Sequence, residues 1–147
     1  VLEKLYGDIR STENRLHLAE LAPVEAIRRL VEFTFDHHDR NVDFVRIVSI
    51  ENIHNAEYVK RSDAIKAMNN TILDSLGEIL RRGAEEGVFR AGLDALDVHL
   101  LISSFCFYRV SNRHTFGEIF QIDLPDESIK QRHREMICES VLRYLQA

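Results

Sequence analysis

With 147 residues, 45% of them hydrophobic and 29% charged, the chain has the make-up of one globular domain that builds a core without metal or disulfide staples. Lys and Arg total 19 against 24 Asp and Glu, and the net charge of -5 excludes a phosphate-binding surface and with it direct nucleic-acid binding by these residues. No apolar run approaches the roughly 20 residues of a membrane span and no secretory signal is present, so a cytoplasmic protein with no membrane partner is expected.

The chain starts at Val1 in mid-pattern. Leu2, Leu5, Ile9 and Leu16 stand at near-helical spacing among charges, which predicts an amphipathic helix over 1–15 already under way at the first residue and a segment removed upstream. Pro23, with Glu25 behind it, predicts the first turn of a second helix running to about His38, whose face carries Ile27, Leu30, Val31, Thr34 and Phe35. After a break at 41–43, Val45, Ile47, Val48 and Ile50 form a β-branched run that suits a strand by propensity. No hairpin turn flanks it and helices surround it, so a helix is expected. Residues 52–61 are polar and aromatic, as in a frayed helix end leading to a loop. Ser62 and Asp63 cap a long helix in which Ile65, Met68, Ile72, Leu76, Ile79 and Leu80 repeat at three and four, and Gly83 and Gly87 end it, Gly87 as the left-handed residue.

Residues 93–110 are the organising stretch. Asp94 caps the first turn, Asp97 follows near the positive end of the helix dipole, and the helix is then apolar almost all round. Val98, Leu101, Ile102, Phe105 and Tyr108 lie on one side, and Leu100, Phe107 and Val110 fill the others. A helix with no wet face needs cover on two sides. Residues 111–124 are irregular, with one short helix around 116–120, and Pro125 and Asp126 start a last helix carrying Ile129, His133, Met136, Ile137, Val141, Tyr144 and Leu145 on one face. Cys106 and Cys138 fall inside helical patterns without metal-ligand neighbours and are expected to be reduced core thiols. The fold class is therefore an all-α bundle of about six helices.

The order of these elements and four stretches resemble the C-terminal half of the tetracycline-repressor (TetR) family of bacterial transcriptional regulators. The stretches are Ala22-Pro23-Val24-Glu25-Ala26-Ile27, Phe44-Val45-Arg46-Ile47-Val48-Ser49-Ile50-Glu51-Asn52, Glu86-Gly87-Val88-Phe89-Arg90 and Val110-Ser111-Asn112-Arg113-His114-Thr115-Phe116. The resemblance implies an effector-binding and dimerisation domain over 1–147, a homodimer held by a four-helix bundle of the last two long helices, and an unknown small-molecule effector. It implies no catalytic residue, no metal and no cofactor. Operator DNA is expected to be bound through an N-terminal helix-turn-helix, which these 147 residues lack.

On that resemblance, Ile129, His133, Met136, Ile137 and Ser140 are the expected dimer contacts, a self-complementary patch. Phe105 and Tyr108 are expected to face Ile47, Glu51, Met68 and Ile72 across a mostly apolar ligand site. Pocket and core call for the same residue types, so Met68, Phe105, Phe107 and Tyr108 suit either use. Glu51, Arg46 and Asn52 either position an effector or satisfy neighbouring groups, and His99 is read as a satisfied core or interface histidine. Two rival functions stand beside this one. His17, His38-Asp39 and Asp97 nominally form the ligand set of a helical metal-dependent phosphohydrolase, although His37, His38 and Asp39 have the composition of a solvated helix end. A helical protein-interaction module without a pocket is the other.

Overall fold

Helix-start chemistry divides the chain in the computed structural model, which describes residues 1–147. The Ser62 hydroxyl accepts from the Ile65 amide at 3.2 Å, Asp94 from Asp97 at 3.1 Å and Asp126 from Ile129 at 3.3 Å, each satisfying a first-turn N–H that has no partner within its helix. The helices are α1 (Leu2–Asn14), α2 (Pro23–Arg40), α3 (Val42–Ile53), α4 (Glu57–Lys60), α5 (Asp63–Glu85), α6 (Ala95–Ser111), α7 (Arg113–Phe120) and α8 (Glu127–Leu145), with a 3₁₀ turn at Leu18–Glu20. The chain is thus all-α. All six expected patterns are helices, the β-branched run included, and α4 and α7 are short helices in the two connections. Asn55 and Ala56 take left-handed backbone, which stops α3 and restarts the chain as α4.

The main core is built by one stripe from each of α2, α5, α6 and α8: Ile27 and Val31, Leu76 and Ile79, Val98 and Ile102, Val141 and Leu145 are all essentially solvent-free. Burying each such side chain stabilises the fold by about 1.5–3 kcal/mol. Phe89 closes the core after α5, lying where a side chain at Gly83 would otherwise be, while the Gly83 carbonyl accepts from both the Val88 and Phe89 amides at 3.0 Å. Gly87 has φ +75°, the left-handed turn expected of it. Beside Phe89 the C-terminal residues return, with Arg90 N–H donating to the Leu145 carbonyl at 2.9 Å.

α8 is also fastened to α2 by charge. Arg134 forks onto Asp36 at 3.0 and 2.9 Å and reaches Glu32 at 2.7 Å, and Lys130 pairs with Asp39 at 2.9 Å. The bidentate geometry fixes the lengthwise register of the two helices as well as attracting them. α1 packs chiefly on α5, and α3 on α6, so α1, α3, α4 and the first half of α5 form a second layer over the four-helix core. No helix is long and apolar enough to cross a membrane.

Candidate functional site

α6 carries three stripes, not two. Val98, Ile102, Cys106 and Arg109 enter the core. Leu101, Phe105 and Tyr108 face α8, and His99, Ser103 and Phe107, four residues apart each time, face the α1, α3 and α5 layer.

On the His99 stripe lies a cavity of about 450 Å³, within the roughly 300–1,000 Å³ of small-molecule sites. Tyr6, Ile9 and Arg10 of α1, His38 of α2, Phe44 and Val48 of α3, Val59 of α4, and Ile65, Lys66, Asn69 and Asn70 of α5 complete its wall. Much of that wall is aromatic. The Tyr6 and Phe44 rings meet edge-on at 5.3 Å between centroids, His38 stacks on Phe44 at 5.6 Å, and Phe107 meets His38 edge-on at 6.0 Å.

The electrostatics centre on Arg10. Its side chain is 11% exposed and its Nη1 pairs with Glu13, 7% exposed, at 2.9 Å. Its Nε–H is shielded from solvent and has no acceptor in the protein. Glu13 does not line the cavity. It lies in the wall of a separate depression with His17 and Leu18. Burial pushes the His38 imidazole down to about 3 and His37 to about 4, with Arg10 adding to both, and burial and then Arg10 lower His99 as well. All three rings are therefore neutral near pH 7. His37 and His38 share a hydrogen bond at 3.1 Å between their Nδ1 atoms, which requires one to donate and the other to accept. Burial raises the Tyr6 phenol, so its hydroxyl stays protonated.

On the Phe105 stripe, α6, α7 and α8 form a groove of about 530 Å³, as open to solvent as the first cavity and also of ligand size, lined by Leu101, Phe105, Tyr108, Phe116, His133 and Met136, together with Ile137 and Ser140. Arg109 runs beneath it. Its Nε donates to His133 Nδ1 at 3.0 Å, its Nη2 to the Leu124 carbonyl, and its guanidinium lies 4.9 Å from the Phe35 ring centre. Tyr108 and Met136, at 49% and 44% exposed, leave the groove with an uncovered apolar surface.

The six residues expected around a ligand are not brought together. Phe105 and Tyr108 lie on the groove side of α6, since the helix turns 100° per residue and position 105 is half a turn away from 103 and 107. Ile72 is part of the main core, and Met68 packs beside Gly7 of α1. Glu51 accepts from the Val59 amide at 2.7 Å and so ties α4 to α3. Ile47 is half-buried on α3 and does not line the cavity. The expected dimer residues His133, Met136, Ile137 and Ser140 do share one surface. Ile129 lies half-buried a turn earlier on α8, and Ile137 is itself mostly core.

Sequence reading did not single out Arg10 or Ser103, took His38 only as a nominal metal ligand, placed Phe107 equally in pocket or core, and assigned His99 elsewhere. The available signal was polar side chains recurring at four on otherwise apolar helix faces, as in His99 and Ser103. The nominal metal set does not converge: His38 stacks on Phe44, Asp39 turns to Lys130, and no group of three or more His, Cys, Asp or Glu side chains is arranged to hold an ion. Cys106 and Cys138 are free and buried, and burial pushes their thiols up to about 12 and 11, so both are inert at neutral pH.

Residues 23–141, from the first turn of α2 into the last turns of α8, match the family model described as tetracyclin repressor-like, C-terminal domain. The chain belongs to the TetR family. An HTH-type transcriptional repressor of Pseudomonas putida, NicS, is 32% identical over 145 residues, which cover 99% of this chain and 68% of the repressor. Membership makes this TetR-family chain part of a transcriptional regulator, with the family match on the regulatory C-terminal domain. The matched residues contain both outer stripes of α6. α1, which supplies Tyr6 and Arg10 to the cavity, lies outside the family match but within the alignment to NicS.

Proposed function

We propose that the chain is the effector-sensing and dimerisation domain of a TetR-family regulator that acts in the cytoplasm, with operator DNA bound by a helix-turn-helix unit outside these residues. The observation that carries this reading is the back-to-back placement on α6 of a ligand-sized cavity and an apolar groove. The cavity has the mixed aromatic and polar wall of a small-molecule site. The groove, with Phe105, Tyr108, Met136 and Ser140, suits a second copy seated about a two-fold axis, so that α6 and α8 of each subunit form a four-helix interface. A ligand that favours one arrangement of α1, α3 and α5 against α6 then biases how two subunits meet, by its difference in affinity between the two arrangements and by no more than that.

The test is a thermal-shift screen of metabolites on the wild-type chain and on Ser103→Trp, which fills the cavity from the α6 wall. A compound that raises the Tm of the first and not of the second identifies the site. Equal stabilisation of both would remove the cavity from the mechanism.

A further inference from the structure

Of the buried residues in the cavity wall, Ile9, His38, Phe44 and Ile65, only His38 is polar. It is 5% exposed, its Nδ1 is taken by His37 at 3.1 Å, and its ring is held by Phe44, stacked at 5.6 Å, and Phe107, edge-on at 6.0 Å. The other ring nitrogen, Nε2, has no partner in the protein. Arg10 Nε is the side-chain polar atom that is both sealed from solvent and unpartnered, so His38 Nε2 is not sealed and opens on the cavity that its residue lines. A nitrogen at this depth costs free energy unless something in the cavity bonds it. Because the ring is neutral near pH 7, Nε2 offers a donor or an acceptor according to which way the bond between the two Nδ1 atoms runs.

The charges around it are already met. Arg10 is held by Glu13 at 2.9 Å, the exposed Lys66 donates to the Lys60 carbonyl at 3.2 Å, and Glu51 accepts from the Val59 amide at 2.7 Å. What remains on the wall for hydrogen bonding is uncharged: the amides of Asn69 and Asn70, the Ser103 hydroxyl and the His99 imidazole. An ionised ligand would give up hydration among aromatic rings without gaining a counter-charge, whereas an uncharged one gives up far less. The rings of Tyr6, Phe44 and Phe107 fit a flat apolar body.

We propose that the effector is an uncharged aromatic molecule whose ring lies among Tyr6, Phe44 and Phe107 and whose polar group bonds His38 Nε2. This rests on the sensing role of the cavity and specifies its chemistry. His37 is a positioning residue in this scheme: it holds Nδ1 of His38 and so leaves Nε2 for the ligand.

Two-ring probes of matched size test it. 2-Naphthol, which donates, and quinoline, which accepts, are titrated by calorimetry at pH 7.5 into the full chain against 2-naphthoate and 2-naphthylmethylammonium. At least one of the neutral pair is expected to bind roughly tenfold or more tighter than either ion. His38→Phe is expected to weaken that binder by about tenfold, and His38→Gln, whose amide still offers a bond, by less. The wild-type comparison stands even if a variant fails to fold. An ion that binds as tightly as the neutral probes would overturn the proposal and leave the sensing role intact. Unchanged affinity in folded His38→Phe would overturn the assignment to His38. Binding that persists in Ser103→Trp would place the probes outside the cavity, and this or no binding by any of the four would remove the sensing role, and this inference with it.

Discussion

Individual residues set the tolerances of this fold, and two of them give sharp expectations. Gly83 sits inside α5, where most residues would serve, yet a methyl group there would overlap the Phe89 ring, and Phe89 is buried against the core. Gly83→Ala is therefore expected to destabilise the chain by about 1–3 kcal/mol, against the gain in helix propensity that the same change gives at an open site. Urea denaturation measures this, and an unchanged or raised midpoint would contradict the packing described. His38 gives the second. Its folded imidazole is held neutral down to about pH 3, mainly by burial, whereas in the unfolded chain it takes up a proton near pH 6.5. Above that pH the two states bind the same number of protons. Below it the unfolded state binds more, so stability falls as pH drops toward 3, by about 2 kcal/mol for this group between pH 7 and pH 5. His37, pushed down to about 4 by the same causes, acts in the same direction. Unfolding free energies at pH 7 and 5 should show this loss, and His38→Phe should shrink it; an equal slope in the variant would assign the titration elsewhere.

At the level of elements, the helices were largely legible because their signals are local. The hydroxyl of Ser62 and the carboxylates of Asp94 and Asp126 cap their helices as their positions implied, and the spacing of Ile65, Ile72, Leu76 and Ile79 gave the buried face of α5. The cavity wall was not legible for a geometric reason. Six helices contribute to it, most with only one to three residues, and on each helix those residues resemble ordinary satisfied polar groups. Phe105 and Tyr108 line the groove and not the cavity because α6 has three sectors rather than two. Its aromatic side chains at 105, 107 and 108 span different sectors, and only the turn of the helix decides which one a given ring enters. α8 makes the same point testable. Met136 faces outward and Ile137, the next residue, is 3% exposed in the core. Met136→Asp is expected to change monomer stability by under about 0.5 kcal/mol while yielding monomers in sedimentation, whereas Ile137→Asp buries a charge and costs more than about 4 kcal/mol. A dimeric Met136→Asp would move the interface off this face.

On the scale of the whole molecule, the four-helix core formed by α2, α5, α6 and α8 carries two surfaces, the cavity and the groove, to which the proposed function gives different tasks. If a ligand in the cavity shifts the way two subunits meet, linkage requires that dimer formation shift ligand affinity by the same factor, typically 5–150-fold. Sedimentation across a concentration series, with and without a compound found in the thermal-shift screen, should show the change in dimer affinity, and Met136→Asp should show the matching change in ligand affinity. Equal dimer affinities with and without the compound would mean that the two sites do not communicate through this domain.

The three-sector layout of α6 also bears on how such a regulator diversifies. On the proposed function, positions 99, 103 and 107 are renewable without altering who pairs with whom, and positions 101, 105 and 108 are renewable without altering what is sensed, because the buried sector carrying Val98, Ile102 and Cys106 lies to one side of both. Duplicated copies can thus acquire new inputs and become mutually insulated by separate, uncorrelated substitutions on a single helix. For the same reason, a library confined to 99, 103 and 107 is a compact starting point for retargeting a biosensor.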